Sequence, residues 1–157
     1  MKHLIIRTIG KPSEEWHPQA IHSYLKKLSP FVKIELIELP EGHGGSAKPD
    51  EAKTRREEAT SLLKNIPKDS TIVALDETGK NLSSLELAKH ISNWSEGGRT
   101  VVFLIGGSWG LDETVLARAN AKLSLGKQTL PHLLARIVLL EQLYRVETIL
   151  NGKTYHK

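Results

Sequence analysis

A chain of 157 residues, 39% hydrophobic and 25% charged, is one domain's worth of ordinary globular sequence and long enough to build a core. It contains no cysteine, which excludes a disulfide framework, a thiolate zinc site and a cysteine nucleophile, so catalysis must use oxygen and nitrogen groups. A net charge of +4 favours approach to a polyanion but falls short of the dense Lys/Arg runs of a dedicated nucleic-acid binder.

Taken in chain order, β-branched apolar runs at residues 3–9, 32–39, 70–75 and 100–105, with a shorter one at 122–125, predict strands. Between them the helical period predicts helices at 13–28, 50–65, 83–96 and 112–120, and a long one at 131–150. Ser13 before Glu14-Glu15, Asp50, and Ser83 with Glu86 supply start signals for the first three helices. Residues 40–50 carry three glycines and two prolines around His43 and read as a flexible connection inside a single domain, 1–157. Too few apolar residues follow Met1-Lys2-His3 for a secretory leader, and no later run approaches a membrane span, so a cytoplasmic protein is expected.

Strict alternation of strand and helix, with near-continuous apolar strands such as Val101-Val102-Phe103-Leu104-Ile105, predicts an α/β fold whose mainly parallel sheet is flanked by helices. Ligands of such sheets bind beyond the carboxyl ends of the strands, which singles out the loops after Leu75, Ile105 and Leu125. The loop Gly106-Gly107-Ser108-Trp109-Gly110-Leu111 invites a nucleotide reading, yet it is neither a G-x-G-x-x-G nor a P-loop, and a plain turn explains it equally well. The same holds for Gly126 and Pro131, which suit a connector between a short strand and the last helix.

On that helix Leu134, Ile137, Val138 and Tyr144 form an apolar arc that also contains Glu141, Arg145 and Thr148. An intrahelical Glu141–Arg145 pair accounts for two of these, and a subunit interface or site wall accounts for the arc as a whole. His132 and Arg136 fall on the opposite face, where such a pair can hold phosphate or carboxylate. The terminus, Tyr155-His156-Lys157 included, reads as a frayed tail or as a clamp that stacks on RNA. Histidine spacing gives no metal site, and Gly107-Ser108-Trp109-Gly110 is no nucleophile elbow. Trp109 can stack on a base or pack beneath its loop, the commoner fate of a tryptophan.

Several ordered segments together resemble one family. They are Leu104-Ile105-Gly106-Gly107-Ser108 with Gly110-Leu111, Leu123-Ser124-Leu125 leading to Thr129-Leu130-Pro131-His132 and Arg136, then Glu141-Gln142-Leu143-Tyr144-Arg145 and the terminal Tyr155-His156-Lys157. Ile9-Gly10-Lys11, Ile37-Glu38-Leu39-Pro40, Leu75-Asp76 and Gly79-Lys80 support them. In this set the chain resembles, over essentially its whole length, the RlmH-type pseudouridine N3-methyltransferases of large-subunit ribosomal RNA, a SPOUT-class family.

The resemblance implies a C-terminal deep trefoil knot and a homodimer that uses S-adenosyl-L-methionine, no metal, and 23S ribosomal RNA within the large subunit or the assembled ribosome. It implies cofactor contacts at Leu75, Gly106, Leu125, Gly126, Lys127, Gln128, Thr129 and Leu130. Catalytic candidates are His132, Arg136, Arg145, Tyr155 and His156, with the tail completing the partner's site. Trp109 and the Gly-rich segment around His43 depart from the family pattern. A SPOUT enzyme acting on another RNA such as tRNA, and a non-catalytic ribosome-assembly module of the same fold, are the alternatives. A Rossmann oxidoreductase is disfavoured by the missing fingerprint.

Overall fold

The protein is described from a computed structural model covering residues 1–43, 47–48 and 50–157. Among the described residues ten elements alternate: β1 (His3–Ile9), α1 (Trp16–Leu28), β2 (Lys33–Leu39), α2 (Glu51–Leu63), β3 (Thr71–Asn81), α3 (Ser84–Trp94), β4 (Val101–Ile105), α4 (Glu113–Arg118), β5 (Ala121–Ser124) and α5 (His132–Leu150). A short 3-10 turn, Glu96–Gly98, links α3 to β4. All five strands are parallel and lie in the order β2-β1-β4-β3-β5. The expected class and element order therefore hold. The centre of the Gly-rich connection, at Gly44, Gly45, Ser46 and Pro49, lies outside the described residues.

Side-chain alternation explains why the strands read as unbroken apolar runs. On β4, Val101, Phe103 and Ile105 enter a core under α1, α3 and α5, whereas Val102 and Leu104 enter a second core under α2 and α4. β1 repeats this, with Leu4 and Ile6 on the first face and Ile5 and Ile9 on the second.

Three helix starts are set by side-chain caps, and those of α1 and α5 are not. Asp50 caps α2 by accepting from the Lys53 amide at 3.0 Å, Ser83 and Glu86 close a full capping box, and Asp112 caps α4. Ser13 caps nothing. Helix α1 begins at Trp16 with Glu15 at the cap position and no side-chain bond, and the His17 ring instead accepts from the Glu14 amide at 3.3 Å. Pro18 is tolerated because a first-turn amide has no helical acceptor to miss.

β3 runs past the expected end at residue 75. It pairs with β5 through Val73, Ala74 and Leu75, swings out, and pairs again through Lys80 and Asn81. Leu123 is thus the partner of both Leu75 and Lys80. Only glycine fits the return point: a Cβ on Gly79 would stand 2.6–2.7 Å from backbone atoms of Lys122 and Leu123.

The buried face of α5 shares only Ile137 and Thr148 with the arc read from its period. Arg136, Leu139, Leu140, Leu143, Val146 and Glu147 complete the buried face, while Leu134, Val138 and Tyr144 stay half-exposed. The helix is apolar nearly all round, so its period cannot rank one face over another.

Candidate active site

The stretch where β3 swings out and the carboxyl ends of β4 and β5 open onto one cleft. Its walls are Leu75, Asp76 and Glu77 of β3, Ile105, Gly106, Gly107, Gly110 and Leu111 at and after the end of β4, and the stretch from Leu123 through Gly126 with Gln128, Thr129 and Leu130. His132 and Ala135 of α5 close the floor. Seven of the eight expected cofactor positions, Leu75, Gly106, Leu125, Gly126, Gln128, Thr129 and Leu130, line this cleft together. Lys127 does not: it lines a neighbouring groove with Asn81, Leu82, Leu87, Val138 and Gln142.

Backbone demands explain the glycines. A Cβ on Gly106 would lie 2.7 Å from the carbonyl carbon and oxygen of Gly110, because the loop folds back on itself and donates Gly110 N–H to Gly107 O at 3.1 Å. Gly126 has φ +138, a conformation L side chains rarely adopt, and Ser124 Oγ fixes this bend by bonding Gly126 O at 2.8 Å. The cleft therefore combines apolar walls with backbone groups at a shape only glycine allows, a lining suited to an adenine-bearing ligand whose edge is read by backbone amides and carbonyls.

The candidate side chains fall into two groups. His132 borders the cleft, and its buried Nε2 has no hydrogen-bond partner. Burial pulls this imidazole below its ordinary value, the Arg136 charge adds to the fall and Glu41 opposes it, so His132 is neutral at physiological pH. Arg136 lies under the floor with its side chain fully buried. It donates to Ile9 O at 2.8 Å, to Gly10 O at 2.9 Å and to Glu38 Oε2 at 3.1 Å, satisfying the end of β1. The phosphate-holding role considered for it is unavailable to a guanidinium engaged in this way.

The second group stands at the far end of α5. Arg145 donates to Glu141 Oε1 at 2.7 Å, Tyr155 OH donates to the same oxygen at 3.0 Å, and His156 Nδ1 is 3.4 Å from Arg145. The guanidinium lies over the Tyr155 ring, 4.7 Å from its centroid, and that ring meets Tyr144 edge-on at 4.8 Å. The tail is thus fastened to α5 rather than frayed. Its Glu141 bond raises the Arg145 pKa, and burial followed by the Glu141 contact raises that of Tyr155. Thirteen residues at 1.5 Å each put this cluster about 20 Å from His132.

Sequence reasoning missed Glu58. This α2 carboxyl is buried, accepts from Gly42 N–H at 3.1 Å, and both its oxygens lie 3.0 Å from where a Gly107 Cβ would be. It couples the chain after β2 to the loop after β4. Its signal was available, since Thr54, Glu58 and Leu62 recur at four-residue spacing on the buried stripe. Burial chiefly raises its pKa, the Gly42 bond resists, Glu41 adds to the rise, and His43 and Gly107 counter it. A carboxyl with a raised folded pKa stabilises fully below the unfolded value, ordinarily 4.5, and that contribution is lost as pH climbs through the folded value. Glu58→Gln is therefore expected to flatten the decline of melting temperature between pH 4.5 and 8. Parallel curves for variant and wild type would contradict this.

The chain matches the family model described as "Predicted SPOUT methyltransferase" over residues 1–156. The chain belongs to the SPOUT methyltransferase family. Among curated relatives, it is 44% identical over 156 residues to the ribosomal RNA large subunit methyltransferase H of Anaeromyxobacter sp. (strain Fw109-5), covering 98% of this chain and 99% of that one. Identity to the protein of the same name from Desulfotalea psychrophila is 42% over 158 residues, with both chains fully covered. The Clostridium botulinum relative is 41% identical over 162 residues, with 99% of each chain covered. As a SPOUT methyltransferase the chain places its strand-end cleft where the α/β fold offers one, and its fold shows five parallel strands with helices on both faces.

Proposed function

We propose that this SPOUT methyltransferase uses S-adenosyl-L-methionine to methylate N3 of a pseudouridine in 23S ribosomal RNA of the large subunit, working as a homodimer in the cytoplasm. The observation that carries the reading is the convergence of three strand-end loops on one cleft with glycine-shaped backbone. The large-subunit ribosomal RNA methyltransferases to which the chain is 41–44% identical supply the substrate class.

Leu75, Gly106, Leu125, Gly126, Gln128, Thr129 and Leu130 would hold the cofactor, with the Asp76 and Glu77 carboxylates on the same wall as a favourable neighbourhood for a cationic group. When bound, it supplies a methyl carbon already activated on a sulfonium, so alignment rather than Lewis acidity is what the protein must add. For that chemistry the acceptor nitrogen would have to give up its proton to a group of this protein. Arg145 favours the anionic base by charge, and His156 accepts the proton. Neutral His132, bordering the cleft, positions the acceptor by hydrogen bonding.

The gap of about 20 Å between the tail cluster and His132 exceeds the reach of any side chain, so the tail serves the partner subunit's cleft. The half-exposed apolar arc of α5 supports this pairing of subunits. Threading of the chain as a trefoil knot is part of the same proposal and rests on the family.

The test is transfer of labelled methyl from S-adenosylmethionine to ribosomes and to free ribosomal RNA taken from cells lacking the endogenous activity, with the product nucleoside identified by mass spectrometry. Methylated pseudouridine in large-subunit RNA is expected. Cofactor binding with no transfer to either would favour an assembly module, and transfer to tRNA alone another RNA substrate.

A further inference from the structure

Beside the cofactor cleft runs a second groove that shares most of its wall, with Asp76, Glu77, Gly107, Gly110, Leu111, Thr129, Leu130 and His132 common to both. What the groove adds is Ser108, Trp109 and Pro131. The Gly107–Gly110 turn carries Trp109 at its tip: Gly107 is buried, Gly110 takes φ +80, and the indole is 44% exposed. The ring therefore does not pack beneath its loop. No ring stacks on it among the described residues, although Trp16 and Trp94 each have an aromatic neighbour.

We infer that Trp109 is a stacking platform for an unstacked nucleobase of the RNA substrate, held in the groove next to the methyl-donor cleft. The inference rests on the RNA reading above and adds to it a specificity residue outside the resemblance. Charge decides which part of the RNA lies there. The ionisable residues lining the groove are Asp76, Glu77 and His132, and neither lysine nor arginine is among them. Two carboxylates repel a phosphate but accept from base N–H groups, and an indole face offers a base the apolar surface it lost on leaving its stack. Continuity with the cofactor cleft matters too, because an acceptor base must come out of its stack to meet a methyl group held in a pocket.

Base–aromatic stacking is worth about 1–3 kcal/mol per base on alanine substitution. Trp109→Ala is therefore expected to lower kcat/KM for ribosomes about tenfold, mainly through KM, while affinity for S-adenosylmethionine and dimer mass stay as in the wild type. Trp109→Phe keeps a π face and should recover most of the loss. The comparison is run in the full chain on ribosomes from cells lacking the activity and, in parallel, on bulk tRNA. Unchanged kinetics in Trp109→Ala would overturn the inference, as would a loss of cofactor affinity or of dimer that the phenylalanine variant shares. If the wild type methylates tRNA but not ribosomes, the ribosomal reading fails and the same comparison on tRNA decides Trp109. A wild type that transfers methyl to neither RNA removes the stacking role with it.

Discussion

Removing Tyr155 to Lys157 is expected to lower turnover by roughly a hundredfold or more while leaving S-adenosylmethionine affinity within about twofold of the wild type. The tail's polar groups are assembled around one Glu141 oxygen, which accepts from both Arg145 and Tyr155, and His156 sits against the same guanidinium. Nothing in that cluster lines the strand-end cleft of its own chain. If it handles the acceptor's proton in a partner's cleft, the deletion subtracts chemistry and leaves the cofactor walls intact. Arg145→Ala should behave alike, because it withdraws the charge that favours the deprotonated base. Calorimetric titration with S-adenosylmethionine, set against single-turnover methyl transfer, separates the two effects. A tail deletion that loses cofactor affinity in proportion to turnover would contradict the division. Mixing the deletion with an intact-tail variant crippled at Gly106 gives the complementary test, since tails acting across the interface should restore activity in mixed dimers.

The second large effect concerns Arg136. Its side chain is fully buried, and its guanidinium serves two backbone carbonyls and one carboxylate. Arg136→Ala would leave Ile9 O and Gly10 O inside the protein without donors, strand Glu38 without its cation, and open a cavity beneath the cleft. With the carboxylate partner only part-buried, losing this cation and orphaning the two carbonyls costs about 3 kcal/mol. For a chain of this size that lowers the melting temperature by roughly 10 °C. Arg136→Lys should recover less than half, since one ammonium cannot reproduce the planar fork that reaches both carbonyls. A further readout is local: in Arg136→Ala His132 loses a neighbouring positive charge, so its NMR-measured imidazole pKa should rise if the variant folds, whereas in Arg136→Lys, which keeps the charge, it should rise little. Melting within 2 °C of the wild type would sink the structural assignment of Arg136.

The two effects divide α5 by function. Its amino-terminal turns hold the sheet end and the cleft floor through Arg136 and His132, and its carboxyl-terminal turns hold the tail through Glu141 and Arg145. Glu58 extends the first role from the other face of the sheet, where a buried carboxyl contacts the chain after β2 and lies against Gly107.

Sequence alone determined the alternation of strands and helices and the double-sided sheet, and it singled out the stretches after Leu75, Ile105 and Leu125 that meet at one cleft. Each rests on local chemistry: β-branched runs with both faces apolar, capping boxes whose donors lie three residues away, and glycines where the backbone must bend. The eight cofactor positions came from the family resemblance and not from local pattern, and seven of them line the one cleft. Tertiary structure decided the rest. Arg136 and His132 share a helix face in sequence, yet one is buried under carbonyls 126 and 127 residues away and the other borders the cleft. The core side of α5, apolar all round, was set by what packs on it and not by its period. The return of β3 onto β5 and the exposure of Trp109 likewise depend on long-range neighbours, whose approach no local pattern encodes.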